Sequence, residues 1–375
     1  MRVLVVSGIW PPDVGGPASH APEVAAFLVG RGHRVEVVTT AASAPAPQIY
    51  PVHWIPRSIP KGVIHVRTGL EVARRARGAD VVYTTGMFGR SAAGAAIARR
   101  PYVVKLTADP AFERARRRGM VLGDVDQFQG AGGDAALRVL RLARDAELRA
   151  AAHVFTPSSY LRDLAVRWGV HAERVSVLPN PSPPLPSFPP REELRRRFGI
   201  EEPALAFAGR LTAQKALGDA LAAVAANEGV TLLIAGDGDE RDRLERRAAE
   251  LGLEARVRFL GSQPRVRVLE LFRAADASIL SSSWENFPHT VVEALAVGTP
   301  VLATNVGGVA EVIRDGENGL LVAPGDVDAL AAAIRRFFGD DGLREHLRAA
   351  AAESVREYSA SAVFGRLEQT LIAAA

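Results

Sequence analysis

The sequence predicts an α/β protein of two doubly wound domains, each built on a parallel sheet. Three observations carry that prediction. Short apolar runs alternate with longer amphipathic segments, a proline-rich stretch interrupts the alternation midway, and the alternation then begins again. The chain has 375 residues, 48% hydrophobic and 23% charged. That composition is ordinary for a protein that buries two cores.

In the first half, Val3 to Ser7, Val35 to Thr39, Val81 to Thr85, Tyr102 to Leu106, Val154 to Pro157 and Val175 to Leu178 read as buried strands. Between them, Ala18 to Val29, Leu70 to Ala76, Ala92 to Arg99, Ala135 to Ala151 and Tyr160 to Trp168 read as helices. The stretch Asn180 to Pro190, NPSPPLPSFPP, is a stiff extended linker, because proline fixes φ and removes a backbone donor. In the second half, strands are expected at Ala204 to Gly209, Thr231 to Gly236, Val257 to Leu260, Ala277 to Leu280, Val301 to Thr304 and Gly319 to Val322. Helices are expected at Ala213 to Asn227, Asp239 to Leu251, Arg265 to Ala274, Pro288 to Val297, Val327 to Phe338, Gly342 to Tyr358 and Ala360 to Ile372. The expected domains are residues 1–182, residues 183–357 and a closing helical segment, 358–375. Ligands of open α/β sheets bind outside the carboxyl ends of the strands, so two such domains can line one cleft.

Composition narrows the classes. The absence of cysteine excludes disulfides and thiolate metal sites. The apolar run at the N-terminus is short and is followed at once by Pro11-Pro12-Asp13, which suits a first buried strand better than a signal peptide. No charge-free apolar stretch is long enough for a transmembrane helix. A cytoplasmic location, with peripheral contact at the inner membrane face, is the expectation. The formal net charge of +4 permits an anionic partner without demanding nucleic acid, and none is expected. Only Lys61, Lys105 and Lys215 are lysines in a chain that otherwise uses arginine.

One of those lysines falls in a motif. Gly209-Arg210-Leu211 closes the second domain's first strand, and Lys215 follows near the next helix. Two cations beside helix N–H groups suit a diphosphate. Taken singly, such charges are ordinary surface residues. In Ser281 to Glu293, SSSWENFPHTVVE, Glu285 lies in a strand-end loop. Asn286 and Phe287 lead into a helix whose first turn suits Pro288. Glu285 can accept hydrogen bonds from sugar hydroxyls or serve as a helix-start carboxylate. Glu293 lies among Val291, Val292, Ala294 and Leu295, where a free charge is costly. The turns Gly236-Asp237-Gly238 and Gly307-Gly308 allow close approach of backbone to a ligand, although a tight turn alone would explain them. Glu311 is a further polar candidate.

The order Gly-Arg-Leu…Lys, Gly-Asp-Gly, Glu-x7-Glu, Gly-Gly resembles the group-1 retaining glycosyltransferases of the GT-B fold, glycosyltransferase family 4. The likeness is strong over most of 204–324 and looser in the first domain. It implies that Arg210 and Lys215 bind the donor diphosphate, Glu285 the hydroxyls of the transferred sugar and Glu293 the ribose. It also implies that the segment from about Tyr358 crosses back to the first domain.

In the first domain, Gly15-Gly16 follows the first strand and precedes a helix. It is no GxGxxG fingerprint, and the second strand ends in Thr39-Thr40 without an acidic ribose partner, which argues against NAD. The resemblance implies a turn near the donor phosphate and the acceptor, with His20 beside it as a candidate or a solvated residue. Many relatives carry a histidine where Ala108 stands, and Asp109 is then the local polar group, either orienting the sugar or acceptor hydroxyl or holding a turn before Pro110. Arg114, Arg116, Arg117 and Arg118 form a basic run, read as a solvated helix face or as contact with an anionic acceptor or lipid headgroups. The glycine-rich stretch Gly119 to Gly133 reads as a loop over the acceptor.

The expected reaction is transfer of a hexose-type sugar from a nucleotide-diphosphate-sugar to a hydroxyl acceptor, with no cofactor and no metal. Retention of configuration rests on the resemblance. A GT-B sugar-nucleotide epimerase and a non-catalytic nucleotide-sugar-binding protein are the alternatives.

Overall fold

The computed structural model describes residues 1–13, 16–121, 125–130 and 135–375. The chain divides into two compact units: unit 1 is Met1–Pro179 with Val363–Ala375, and unit 2 is Asn180–Ala362.

Unit 1 runs β1 (Arg2–Ser7), α1 (Gly16–Gly30), β2 (Arg34–Ala41), β3 (Val52–Pro56), α2 (Lys61–Ala76), β4 (Val81–Thr84), α3 (Phe88–Ala98) and β5 (Tyr102–Lys105). It continues with α4 (Pro110–Arg117), α5 (Val125–Gly130), α6 (Ala135–Arg149), β6 (His153–Thr156), α7 (Ser159–Arg167) and β7 (Val175–Val177). The seven strands form one parallel sheet in the order β3-β2-β1-β4-β5-β6-β7. Val3, Leu4, Val5 and Val6 of β1 are all buried, as a central parallel strand covered on both faces requires. Alternate residues sort to the two faces. Leu4, Val6, Val38, Val82, Val104 and Val154 pack with Val72 of α2, Phe88 of α3, Leu148 of α6 and Leu161 of α7.

Unit 2 runs α8 (Arg191–Phe198), β8 (Ala204–Ala208), α9 (Leu217–Ala225), β9 (Thr231–Ala235), α10 (Arg241–Glu250), β10 (Val257–Gly261), α11 (Arg265–Ala274) and β11 (Ala277–Leu280). It continues with α12 (His289–Ala296), β12 (Val301–Thr304), β13 (Gly319–Val322), α13 (Val327–Gly339) and α14 (Asp341–Ser354). Its six-stranded parallel sheet has the order β10-β9-β8-β11-β12-β13. The last helix, α15 (Ala360–Ala374), belongs to unit 1 from Val363 onward. There Phe364 meets Phe27 of α1 at 5.5 Å between ring centroids, and Glu368 accepts hydrogen bonds from Arg31 and His33. No helix among the described residues is long and apolar enough to cross a membrane.

Every expected strand is present, and the fold class is as the sequence predicts. Four elements were not expected. Strand β3 lies at the sheet edge, between Pro51 and Pro56, where proline costs no ladder bond. Helix α8 follows the proline stretch and carries only Leu194 and Phe198 as buried apolar residues. Arg191 and Arg195 tie it to Asp276. Helix α4 begins in the segment read as a strand-end turn. Helix α5 lies inside the stretch read as a glycine-rich loop, whose residues 122–124 and 131–133 fall outside the described residues.

Lys105 ends β5 fully buried, and its ammonium donates to the Leu178 carbonyl. Burial, aided by Arg366, pulls its pKa down to about 7. The unfolded lysine, near 10.5, keeps its proton over a range where the folded one has released it. Wild-type stability relative to Lys105→Met should therefore be flat below about 7 and rise from there toward 10.5, read as urea midpoints across pH. A gap independent of pH over that window would refute a buried, proton-releasing lysine.

Candidate functional site

The order of the unit 2 sheet reverses between β8 and β11, and the loops at that switch point carry the predicted motif residues. Lys215 reaches the switch point from the segment after β8, and Glu285 from the loop after β11. Lys215 Nζ donates to Glu285 Oε1 at 2.5 Å, and Ser282 Oγ donates to the same oxygen at 2.6 Å. The Glu285 carboxylate is nearly inaccessible. Gln214 knits the two loops together, donating to the Trp284 carbonyl at 2.7 Å and accepting from the Ser283 N–H at 2.9 Å.

Backbone crowding explains the glycines. Gly209 N–H donates to the Ala235 carbonyl and Gly236 N–H to the Gly261 carbonyl, so three strand ends close on one another. A Cβ at Gly236 would stand 1.8 Å from the Gly209 oxygen. Gly307, at φ +49°, has its α-carbon against Glu285, where a Cβ would lie 1.7 Å from the carbonyl oxygen. Gly308 N–H donates to that same carbonyl at 3.1 Å. The Gly307-Gly308 turn thus supports Glu285 from behind. Ala216, between Lys215 and α9, adopts φ +43°, a left-handed conformation that strains a residue with a side chain. Neither α9 nor α12 has a side-chain cap on its first N–H groups.

Next to the switch point lies a cavity of about 360 Å³, lined by Gly209, Arg210, Gly236, Asp237, Gln263, Arg265, Thr290 and Glu293 among others. Arg210 is exposed at its rim and forms no ion pair with a described residue. Glu293 projects from α12 and pairs with Arg265, the first residue of α11, at 3.0 Å. Burial pushes the Glu293 carboxyl above the usual carboxylate range, and Arg265 pulls it back. Asn286 and buried Phe287 precede α12, with Pro288 as its N-cap residue rather than in its first turn. Glu311 is exposed, and its carbonyl accepts from the Tyr358 hydroxyl at 3.2 Å. Sequence reasoning missed Arg265, Ser282 and Gln214. Arg265 carried a usable signal, since it opens a helix directly after a strand end.

In unit 1, Asp109 is engaged through its carboxylate by groups of the protein itself. Its carboxylate caps α4, accepting from the Ala111 and Phe112 N–H groups at 2.8 and 3.3 Å. The other oxygen takes Gln129 at 2.9 Å and Arg144 at 2.8 Å. Arg144 stacks on Trp168 at 3.9 Å, and Asp109, Arg144 and Trp168 are all buried. Both Asp109 oxygens thus have partners within unit 1, and one of them starts a helix. The Asp-Pro pair is a helix-start signature, which neither of the two sequence readings of Asp109 included. His20 lies against Tyr83, 2.8 Å from its hydroxyl, and against Phe364. Gly16 opens α1, while Gly15 lies outside the described residues. Arg114 of the basic run pairs with Glu147, and Arg116 to Arg118 are exposed. Among the described residues no group of three His, Cys, Asp or Glu stands where it could hold a metal ion.

Two Rossmann-like parallel-sheet units with a strand-end site define an α/β protein of GT-B type. The HepE protein of Anabaena, solved with UDP-glucose, superposes with a TM-score of 0.78 over 100% of both chains at 23% identity. Residues 190–354 match the family model described as glycosyl transferases group 1, and residues 15–181 that of a glycosyl transferase 4-like domain; the chain belongs to the group 1 glycosyltransferases. It is 28% identical over 365 residues to the glycogen synthase of Mycobacterium tuberculosis (strain H37Rv), covering 91% of this chain and 86% of the relative. It is 37% identical over 203 residues to the D-inositol 3-phosphate glycosyltransferase of Nocardia farcinica, half of this chain and 44% of that one.

Two substitutions test the crowding. Gly307→Ala should destabilise unit 2 by more than about 2 kcal/mol, since both the contact with Glu285 and the positive φ oppose a Cβ. Ala216→Gly should stabilise it by about 1 kcal/mol by relieving the left-handed alanine. Urea unfolding followed by circular dichroism reads both, and equal effects of the same sign would contradict the geometry.

Proposed function

We propose that the chain transfers a hexose-type sugar from a nucleoside-diphosphate-sugar to a hydroxyl acceptor, with retention of anomeric configuration. One observation carries this reading: the unit 2 residues follow the order of the parts of such a donor. The cavity with Glu293 suits a nucleoside, whose ribose diol a carboxylate can hold. Arg210 at the cavity rim and Lys215 beyond it suit the diphosphate. Glu285, touching Lys215, suits the sugar hydroxyls. The sugar and its phosphate are bonded directly, so the groups that hold them must be neighbours, as Lys215 and Glu285 are.

The diphosphate is the leaving group. Arg210, Lys215 and the first N–H groups of α9 would stabilise the negative charge that develops on it, which is the largest expected catalytic effect. Glu285 positions the sugar, and its contact with Lys215 links sugar placement to leaving-group stabilisation. Arg265 favours the charged form of Glu293, which a diol-binding carboxylate needs. In this reading the departing phosphate oxygen takes the proton of the acceptor hydroxyl, which attacks from the face the phosphate leaves. The same reading assigns no metal and no further cofactor.

A thermal-shift screen of UDP-, GDP- and ADP-sugars tests donor binding, since a ligand specific to the folded chain raises its melting temperature. Glu285→Ala should then lower transfer roughly a hundredfold or more with an unchanged circular dichroism spectrum. Full activity in that variant would defeat the site. Conversion of donor without acceptor would mark an epimerase, and binding without turnover a nucleotide-sugar-binding protein.

Proton NMR of product formed in the presence of EDTA tests the stereochemistry and the metal together. The donor's anomeric configuration should persist in the product, at an undiminished rate. The opposite anomer would overturn retention, and activity lost to EDTA but restored by Mg²⁺ would overturn metal independence.

A further inference from the structure

Helix α2 leaves its outer face unpartnered. Val63, Val66 and Leu70 are 55%, 64% and 65% exposed. At 100° per residue they fall on one stripe, and Arg67 and Arg74, both exposed, fall on the same stripe. The opposite side of the helix is fixed, with Ile64, Val72, Ala73 and Ala76 buried against unit 1. The apolar stripe is therefore a surface of a well-seated helix, not an end that has frayed.

The neighbouring helices continue the pattern. Helix α2 packs on α3, α3 on α6, and α6 on α4. Val139 and Leu142 of α6 are 63% and 65% exposed beside exposed Arg138. Arg116, Arg117 and Arg118 are exposed at the end of α4. His65 on α2 is held below the usual histidine range by partial burial and by Arg90 and Arg114, which brings cations of α3 and α4 beside α2. Residues 61–149 contain 17 Lys and Arg against 9 Asp and Glu, whereas the whole chain has 46 against 42. The positive excess of the protein is concentrated in this stretch. Two carboxylates of this helix layer are paired, Glu71 with Arg75 and more distantly with Arg74, and Glu147 with Arg114.

We propose that the outer face of α2, continued by α6, docks unit 1 on an anionic lipid bilayer surface. Charge complementarity selects this occupant. Aliphatic side chains enter the headgroup boundary while arginines beside them meet lipid phosphates, the pattern of an interfacial helix. The stripe carries no aromatic residue, whereas the buried centre of a protein interface is enriched in them. The arginine run singled out in the sequence, Arg114 to Arg118, is the flank of this surface; the aliphatic stripe is its centre.

The test is co-sedimentation of the full chain with vesicles of phosphatidylcholine alone or mixed with phosphatidylglycerol, without donor, so that it stands or falls apart from the transfer reading. Binding should require phosphatidylglycerol and weaken as salt rises. The exposed-residue variant Val63→Ser/Val66→Ser/Leu70→Ser should lower the partition coefficient roughly tenfold or more at unchanged melting temperature. Arg67→Gln/Arg74→Gln should lower it as well and flatten its salt dependence. Equal binding to neutral vesicles, or unchanged binding by the serine variant, would overturn the proposal. So would light scattering that showed a dimer dissociated by the serine substitutions, because a second copy would then cover the face.

Discussion

The contact between the Lys215 ammonium and the Glu285 carboxylate organises the site in unit 2. A carboxylate this deeply buried needs a charge partner and hydrogen bonds, and it has both in Lys215 and Ser282. The two residues are 70 apart in sequence and meet because β11 lies beside β8 where the sheet order reverses. Around them the loops are packed so closely that Gly236 and Gly307 have no room for a side chain. The strain at Ala216 is found in the same place, next to Lys215. Fixed charges, crowded backbone and uncapped helix starts thus coincide at the carboxyl ends of the two central strands.

The fold was legible in the sequence because buried parallel strands are nearly continuous apolar runs, and those of β1, β8, β11 and β12 can be read directly. What escaped was polar or bounded by proline. Helix α8 is charged at all but two of its positions, so its periodicity is slight. Strand β3 stands between prolines that only an edge strand tolerates. The positions of Arg210, Lys215, Glu285 and Glu293 were legible because strand-end loops and rare lysines stand out. Their partners were not, since Arg265 and Ser282 become visible only when separate loops converge.

Asp109 shows the opposite case. Its place after a strand invited a chemical role, yet Arg144 and Gln129 arrive from distant helices and consume its second oxygen. The arginine, stacked on Trp168, completes a buried network in which each polar group is satisfied. Sequence position told where the carboxylate sits but not which donors had already claimed it. Arg67, by contrast, is exposed and forms no ion pair with a described residue, so the same residue type is structural at Arg144 and available at Arg67.

Unit 1 is discontinuous, since Val363–Ala375 is synthesised only after all of unit 2. Val363, Phe364, Leu367 and Leu371 fill its core, and Glu368 anchors Arg31 and His33 near the beginning of the chain. During translation unit 2 can therefore reach its native packing while the earlier-made unit still lacks part of its interior. Contacts spanning nearly the whole chain close last, and nascent unit 1 exposes apolar surface for longer than its position at the N-terminus would suggest.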